Sequence, residues 1–447
     1  MDKIRLLESF YFKPSAKSVL AQHSRVRGRS PGRRHSVHGS DIVIPVAQWL
    51  MSTEYLLTRG ISVIPFGGFI VHQSKMPASN AHVVVIGAGV IGLQTAVTFL
   101  ENGYRVTVIA KHVPGDKSSD YTSPWAGAQW RTHSTAQDLE YQKWDLASYA
   151  RWFQTVDEEK KEPGQATKSG LAKFNNVVYW TEKDEEIANG PENVWFAPHM
   201  RSFEVLPKSS LPKGAIAGAR YDAISIDTTV YLPFLVDRIT SLKGRIIKAE
   251  LPTANGQAGA LAAAARLLPV FDINAPISAF VNASGILARE LVPDPAVHPI
   301  RGQTVLVRGI PAQLRTIIRG QGVSYVIPRA ASNSTILGGT KQVGNWSQEP
   351  DDATTKWILE SCKELAPELL NEKGEFEVLS VNVGFRPGRT GGPRLEVEEV
   401  QTEAGKFIVC HEYGHASAGY QLSFGSAEKV LGLLNDHFEK SATRSKL

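Results

Sequence analysis

His82-Val83-Val84-Val85-Ile86-Gly87-Ala88-Gly89-Val90-Ile91-Gly92 is the stretch that decides the fold. Residues 82–86 form a short, β-branched run without polar alternation, the mark of a buried parallel strand. Residues 90–101 carry apolar side chains at helical spacing, and Asn102-Gly103 is a good stop. Residues 105–110 read as a second buried strand, so the segment is a βαβ unit. Between its first strand and helix stands G-x-G-x-x-G. Gly87 makes the tight turn, Gly89 lets the backbone approach a pyrophosphate, and Gly92 lets the helix pack on the strand. The helix start at Val90 and Ile91 then offers free N–H groups and a partial positive charge to phosphates. A dinucleotide is therefore expected here.

Which dinucleotide is a separate question. An NAD site carries Asp or Glu at the end of the second strand to hold the ribose hydroxyls, but Ala110 and Lys111 stand there. That counts against NAD and leaves NADP and FAD open. Lys111 either pairs with phosphate or is a solvated charge at a strand end.

Working outward, residues 1–79 differ from the rest. The first 40 residues hold nine Lys or Arg against Asp2 and Glu8. This fits a transit peptide, a disordered arm or a gene-model extension, and the last is favoured because Met76 lies six residues before the strand. The chain has 447 residues, 42% hydrophobic and 21% charged, enough for a large two-domain enzyme. A net charge of +5 suits anionic ligands. It is not gathered into a nucleic-acid stripe, and no metal-ligand spacing appears. Two distant cysteines, Cys362 and Cys410, argue against a disulfide framework and for a reducing compartment. No apolar run reaches the roughly 20 residues of a membrane span. The chain ends Ser445-Lys446-Leu447, a peroxisomal address read by an import receptor.

Further helices are expected over residues 138–154, 231–241, 354–365 and from Gly419 through Leu434. Strands are expected over 177–181, 245–249, 277–281, 304–307, 325–327, 335–337 and 407–411. Residues 252–266 are rich in Ala, Gly and Asn and read as an exposed insertion without chemistry.

Six further segments carry a resemblance. They are Ser123-Pro124-Trp125-Ala126-Gly127-Ala128-Gln129-Trp130, Val281-Asn282-Ala283-Ser284-Gly285, Arg301-Gly302-Gln303-Thr304, and Tyr325-Val326-Ile327-Pro328-Arg329 with Gly338-Gly339-Thr340. The last two are Val383-Gly384-Phe385-Arg386-Pro387 with Pro393-Arg394, and Tyr413-Gly414 with Ser417-Ala418-Gly419-Tyr420-Gln421. In this order they resemble the motifs of the D-amino-acid oxidase family of fungal type, from about residue 82 to the end. The resemblance implies an FAD-dependent oxidase. It would convert D-amino acids and molecular oxygen to 2-oxo acids, ammonia and hydrogen peroxide. The fold implied is α/β: a Rossmann-like FAD-binding domain with a second, α+β substrate domain on a mixed β-sheet. The FAD-binding domain is expected over 80–135, 220–303 and 380–440, the substrate domain over 136–219 and 304–379, and a tail over 441–447.

By the same resemblance Gly87, Gly89, Val90, Ile91, Gly92, Lys111, Ala126, Gly127, Ala128, Ala283, Gly285, Ser417, Gly419, Tyr420 and Gln421 border the cofactor. Arg386 is the expected carboxylate anchor, because a guanidinium fork binds a carboxylate bidentately. Tyr325 is expected to donate to the same carboxylate, and Ser417 and Gln421 to hold water or the substrate amine. The short approach to Tyr325 with Arg319, and Lys341 after Thr340, look more like D-aspartate oxidases; Arg131 and His133 add to the cationic character. An acidic D-amino acid is therefore one expectation and a neutral one the other. Two competing readings are an NADPH-dependent reductase, suggested by Lys111, and a catalytically inactive flavin-binding protein. No metal is expected, and a homodimer is left open.

Overall fold

A computed structural model describes residues 81–320 and 322–444. The N-terminal extension to residue 79 and the terminal Ser445-Lys446-Leu447 lie outside the described residues. The chain opens with β1 (His82–Ile86), α1 (Val90–Glu101) and β2 (Arg105–Ala110), the βαβ unit expected. Then follow α2 (Leu139–Glu158), β3 (Leu171–Trp180), β4 (Glu204–Val205), β5 (Ala217–Ile226), α3 (Thr228–Ser241), β6 (Arg245–Lys248), α4 (Gly256–Leu267) and β7 (Ile277–Asn282). Next are α5 (Ala288–Leu291), β8 (Val297–Arg308), β9 (Leu314–Arg319), β10 (Gly322–Arg329), β11 (Ser334–Gly338), β12 (Gln342–Val343) and α6 (Asp352–Lys363). The described chain closes with β13 (Val378–Arg389), β14 (Val397–Thr402), β15 (Gly405–His411) and α7 (Gly419–Arg444).

Among the described residues there are two sheets. The first has the order β14-β15-β7-β1-β2-β6, parallel except for the β14–β15 pair. All five residues of β1 are buried because both faces are covered. Val83 and Val85 join the core beneath α1, α3 and α7, while Val84 and Ile86 join the core beneath α4. Burial on both sides is why the strand reads as a continuous apolar run rather than an alternation.

α4 corrects the expectation of an exposed insertion over 252–266. Ala260, Leu261, Ala264 and Leu268 form a buried stripe against Ile109, Ile247 and Phe280. Alanine is the strongest helix former, and its small side chain lets the helix lie close to the sheet. A composition that looked like filler is a packing surface.

The second sheet runs β12-β8-β11-β10-β9-β3-β5-β4, with β13 paired to β8. It mixes antiparallel pairs with the parallel β3–β9 pair. By strand membership, residues 217–226, 297–308 and 378–389 belong to this sheet, so the sheets part at other points than 219/220, 303/304 and 379/380. Turn residues mark loops, not pairing partners, and β8 runs unbroken through Pro299 and Gly302. α2 packs both on the second sheet, where Tyr149 Oη donates to Asp222 O at 2.8 Å, and on α7, where Trp144 lies against Gly425. The sheets are tied by the segment after β2. Ala128 exchanges backbone hydrogen bonds with Ile226 at 3.1 and 2.8 Å, and Trp130 N–H donates to Ile224 at 2.8 Å. Among the described residues no helix is long and apolar enough to cross a membrane.

Candidate active site

Gly87 ends β1 with φ +114°, and a Cβ there would stand 2.4 Å from the Ala283 carbonyl oxygen. A Cβ on Gly92 would stand 2.1 Å from the Gly87 oxygen. Both positions therefore demand glycine, one for the turn and one for the close approach. Gly89 caps α1 without a side-chain bond, and no acid stands in its first turn. Val90 N–H donates to Ser123 Oγ at 3.0 Å, and the helix start keeps the partial positive charge that attracts an anion.

Gly87, Gly89, Val90 and Ile91 line a cavity of about 380 Å³. Gly92 does not; it packs behind. The same cavity takes in Ala126, Gly127 and Ala128, then Ala283 and Gly285 after β7, and Ser417, Gly419, Tyr420 and Gln421 where α7 begins. Six buried polar atoms on its wall have no partner: Thr122 Oγ1, Gln129 Oε1, Arg131 Nε, Ser284 Oγ, Thr304 Oγ1 and His415 Nε2. Buried polar groups are nearly always paired, so this lining fits a large polar ligand.

Lys111 lines the cavity but is already engaged. Its Nζ lies 2.8 Å from Glu250 and 4.0 Å from Asp120, and the hydrogen bond to Glu250 raises its pKa. That pairing takes away the charge an NADP phosphate would use. Glu250 follows β6, the strand beside β2, and offers the carboxylate that the end of β2 lacks. The sequence hid it because the neighbour of β2 is about 140 residues further along the chain. (β6 follows α3 and the whole of β3 to β5.)

The loop after β2 is held by Arg329 at the end of β10. This guanidinium, 3% exposed, donates from Nε to Gly127 O at 2.7 Å and from Nη2 to Ala126 O at 2.6 Å and Pro124 O at 3.2 Å. Thr228 Oγ1 adds a bond to the Pro124 carbonyl at 3.0 Å. Tyr420 Oη donates to Ser123 O at 2.9 Å.

At the other sheet's side of the cavity stand Tyr325 and Arg386, brought together as the sequence implied. The Arg386 guanidinium stands near the Tyr325 hydroxyl: burial raises the tyrosine's pKa, and the neighbouring Arg386 charge opposes that. Arg386 Nη1 also donates to Thr340 O at 2.9 Å. The guanidinium lies over Gly302, where a Cβ would be 2.4 Å from Nη1. The Tyr325 ring lies against Gly338 in the same way, at 2.2 Å. The glycines of the Arg301-Gly302 and Gly338-Gly339 motifs thus make the slot in which the two side chains meet.

Lys341 lines the cavity and is exposed. Arg319 is not brought there. Strand residues alternate faces, so Thr316 of β9 lines the cavity while Arg315, Ile317 and Arg319 border a smaller recess on the opposite face. Arg319 Nη1 donates to Ser324 Oγ at 3.1 Å instead. Its assignment to substrate specificity does not survive this placement. Ser417 remains on the cavity wall, whereas the Gln421 amide donates to the backbone oxygen of Arg131 and positions that residue. Arg131 and His133 line the cavity too. His133 is open to solvent within the cavity, and the surrounding protein together with the charges of Arg131, Lys341 and Arg386 lowers its pKa.

One buried group had no sequence signal. Glu412, fully buried on the cavity wall, accepts from Thr95 Oγ1 of α1 at 2.6 Å and from Ser426 Oγ of α7 at 2.9 Å. With no cation among its partners, burial pushes its pKa up to about 8. His415 is buried and its pKa lowered to about 4, whereas His411 contacts Glu398 at 3.0 Å. No group of three or more His, Cys, Asp or Glu side chains is placed to hold a metal ion among the described residues.

A glycine turn at the head of α1, a polar cavity and a guanidinium facing it are features that a nucleotide-cofactor oxidoreductase would use. Comparison with known proteins narrows that class. Residues 82–432 match the family model described as FAD dependent oxidoreductase, and the chain belongs to that family. D-amino-acid oxidase from Fusarium vanettenii is 34% identical over 82% of this chain and 99% of its own. D-aspartate oxidase from Talaromyces thermophilus is 31% identical over 79% and 94%. Glycine oxidase from Bacillus cereus, 16% identical, shares the fold with a TM-score of 0.58 over 80% of this chain and 95% of its own.

Proposed function

We propose that the protein oxidises D-amino acids to 2-oxo acids, with ammonia and hydrogen peroxide as co-products. The observation that carries this reading is the Tyr325–Arg386 contact within the cavity that begins at Gly87. The relatives named D-amino-acid oxidase and D-aspartate oxidase support the class of substrate. The engagement of Lys111 by Glu250 tells against the NADPH-dependent reductase.

FAD, when bound, supplies the hydride acceptor and passes the electron pair to dioxygen. The Gly87–Gly92 turn and the start of α1 would hold its diphosphate, Glu250 its ribose hydroxyls, and residues 126–128 and 419–421 its ring. Arg386 and Tyr325 grip the substrate carboxylate from two directions and so fix the α-carbon. A neutral amine can release its α-hydrogen as hydride without a strong base, and the imino acid then takes up water to give the oxo acid and ammonia. Arg131, Lys341 and Arg386 around His133 favour a side chain with a second carboxylate over a neutral one. Import into the peroxisome through Ser445-Lys446-Leu447 belongs to the same proposal, since peroxide is a product suited to that compartment.

The test is direct. The purified full chain should be yellow, should bleach anaerobically with D-alanine or D-aspartate but not their L-forms, and should release peroxide in air. A colourless protein that consumes NADPH, or a yellow one that no D-amino acid bleaches, refutes the reading.

A further inference from the structure

Arg131 follows the segment that ties the two sheets, and its side chain is 12% exposed. Its Nη2 contacts Glu186 at 2.8 and 3.2 Å, and its Nη1 donates to Thr132 O at 3.1 Å. Its Nε, although buried, has no partner, and the residue lines the cavity. Glu186 is held in turn by the Trp180 indole N–H at 3.0 Å. The Arg131 backbone is pinned by Gln421. This arginine is therefore pre-organised, and little side-chain freedom is lost when a ligand meets it.

A charge balance shows what that ligand needs. Arg386 is matched by the α-carboxylate of a substrate, and Glu186 matches one further cation. Of Arg131, Lys341 and Arg386, one positive charge is left over in a confined space. A neutral substrate side chain leaves it unmatched; a side-chain carboxylate removes it. Lys341 supplies part of that excess but is exposed, and a flexible ammonium fixes no single geometry for a carboxylate. Arg131 has the buried, fixed guanidinium.

We propose that Arg131, oriented by Glu186, takes the second carboxylate of an acidic D-amino acid. This rests on the oxidase reading above and names the residue that sets its specificity.

The probes are succinate and butyrate, a dicarboxylate and a monocarboxylate of equal length, titrated calorimetrically into the holoprotein. Steady-state kcat/KM for D-aspartate and D-alanine is measured alongside. Succinate should bind more tightly than butyrate to the native protein. Arg131→Leu should cut succinate affinity by about 10- to 100-fold, the worth of a charge-assisted hydrogen bond, and lower the D-aspartate to D-alanine ratio to match. That variant leaves the half-buried Glu186 without its cation and can misfold, so the double variant Arg131→Gln with Glu186→Gln is measured too and should show the same loss. Glu186→Gln alone should raise the ratio, and Arg319→Ala, on the far face of the sheet, should leave it unchanged. Equal binding of succinate and butyrate by the native protein overturns the proposal. So does an unaltered ratio in the double variant, or a loss seen in Lys341→Met instead. A native protein that binds succinate through Arg131 yet oxidises neither D-amino acid would sink the oxidase reading while leaving the anchor in place.

Discussion

Glu412→Gln should make the protein more stable, and by an amount that depends on pH. The carboxyl has no exposed surface and only two hydroxyl partners, and its pKa stands near 8 against an ordinary 4.5. Below pH 4.5 it is protonated in folded and unfolded chains alike, and nothing is lost. Between 4.5 and 8 the unfolded chain gives up a proton that the folded chain keeps, so stability falls as pH rises. Above 8 both are ionised and the full cost remains. At about 1.4 kcal/mol per tenfold change in proton affinity, the cost is about 3 kcal/mol at pH 7 and about 5 kcal/mol above pH 8. Glutamine has nearly the same shape, accepts from Thr95 with its oxygen, and donates to Ser426 with its amide, but cannot ionise. For a folded unit of this size the gain at pH 8 corresponds to a rise in melting temperature of roughly 4–7 °C, shrinking to about 1 °C at pH 5. Thermal melts of both proteins at the two pH values with saturating FAD measure it. A variant no more stable than the native protein at pH 8, or a gain equal at both pH values, refutes the reasoning.

Other perturbations test the site and the fold. Arg386→Leu should lower kcat/KM for any D-amino acid by about 100-fold or more, and Tyr325→Phe by about 10-fold, read from peroxide release. Arg329→Met takes the donor from the Ala126 and Gly127 carbonyls and one of two from Pro124; FAD affinity, followed by flavin fluorescence, should drop at least about 10-fold. Ala264→Asp puts a carboxylate under α4 and should cost about 3 kcal/mol or more in a denaturant melt, whereas an exposed insertion would tolerate it. Removal of Ser445-Lys446-Leu447 from an N-terminally labelled chain should move its fluorescence from peroxisomes to the cytosol.

The sequence was readable where the determining contacts are local. β1, α1 and β2 appear at their expected bounds because a doubly buried strand, a glycine turn and a helix stop are each written within a few residues. The Tyr325–Arg386 pair came from motif order rather than local pattern, since β10 and β13 meet only through the second sheet. Arg319 failed for a geometric reason: closeness in sequence to Tyr325 does not say which face of a strand a side chain takes, and period two sets it opposite Thr316. Glu186, Glu250 and Glu412 left no trace because an isolated glutamate reads as a surface charge until a partner from a distant segment is known. α4 was hidden by composition, although its stripe at 260, 261, 264 and 268 has helical spacing.

Arg329 and Tyr325 share one strand, and their even separation of four residues sets both on the same side of it. Across a β-strand that interval is about 13 Å. β10 therefore acts as a ruler, with the grip on residues 124–127 at one mark and the Tyr325 hydroxyl, on the cavity wall, at the other. Neither mark can drift without breaking the ladder to β11, which pairs Tyr325 through Arg329. Specificity can thus be re-tuned at positions off the ruler, such as 131 or 341, while the gauge between cofactor and substrate stays constant.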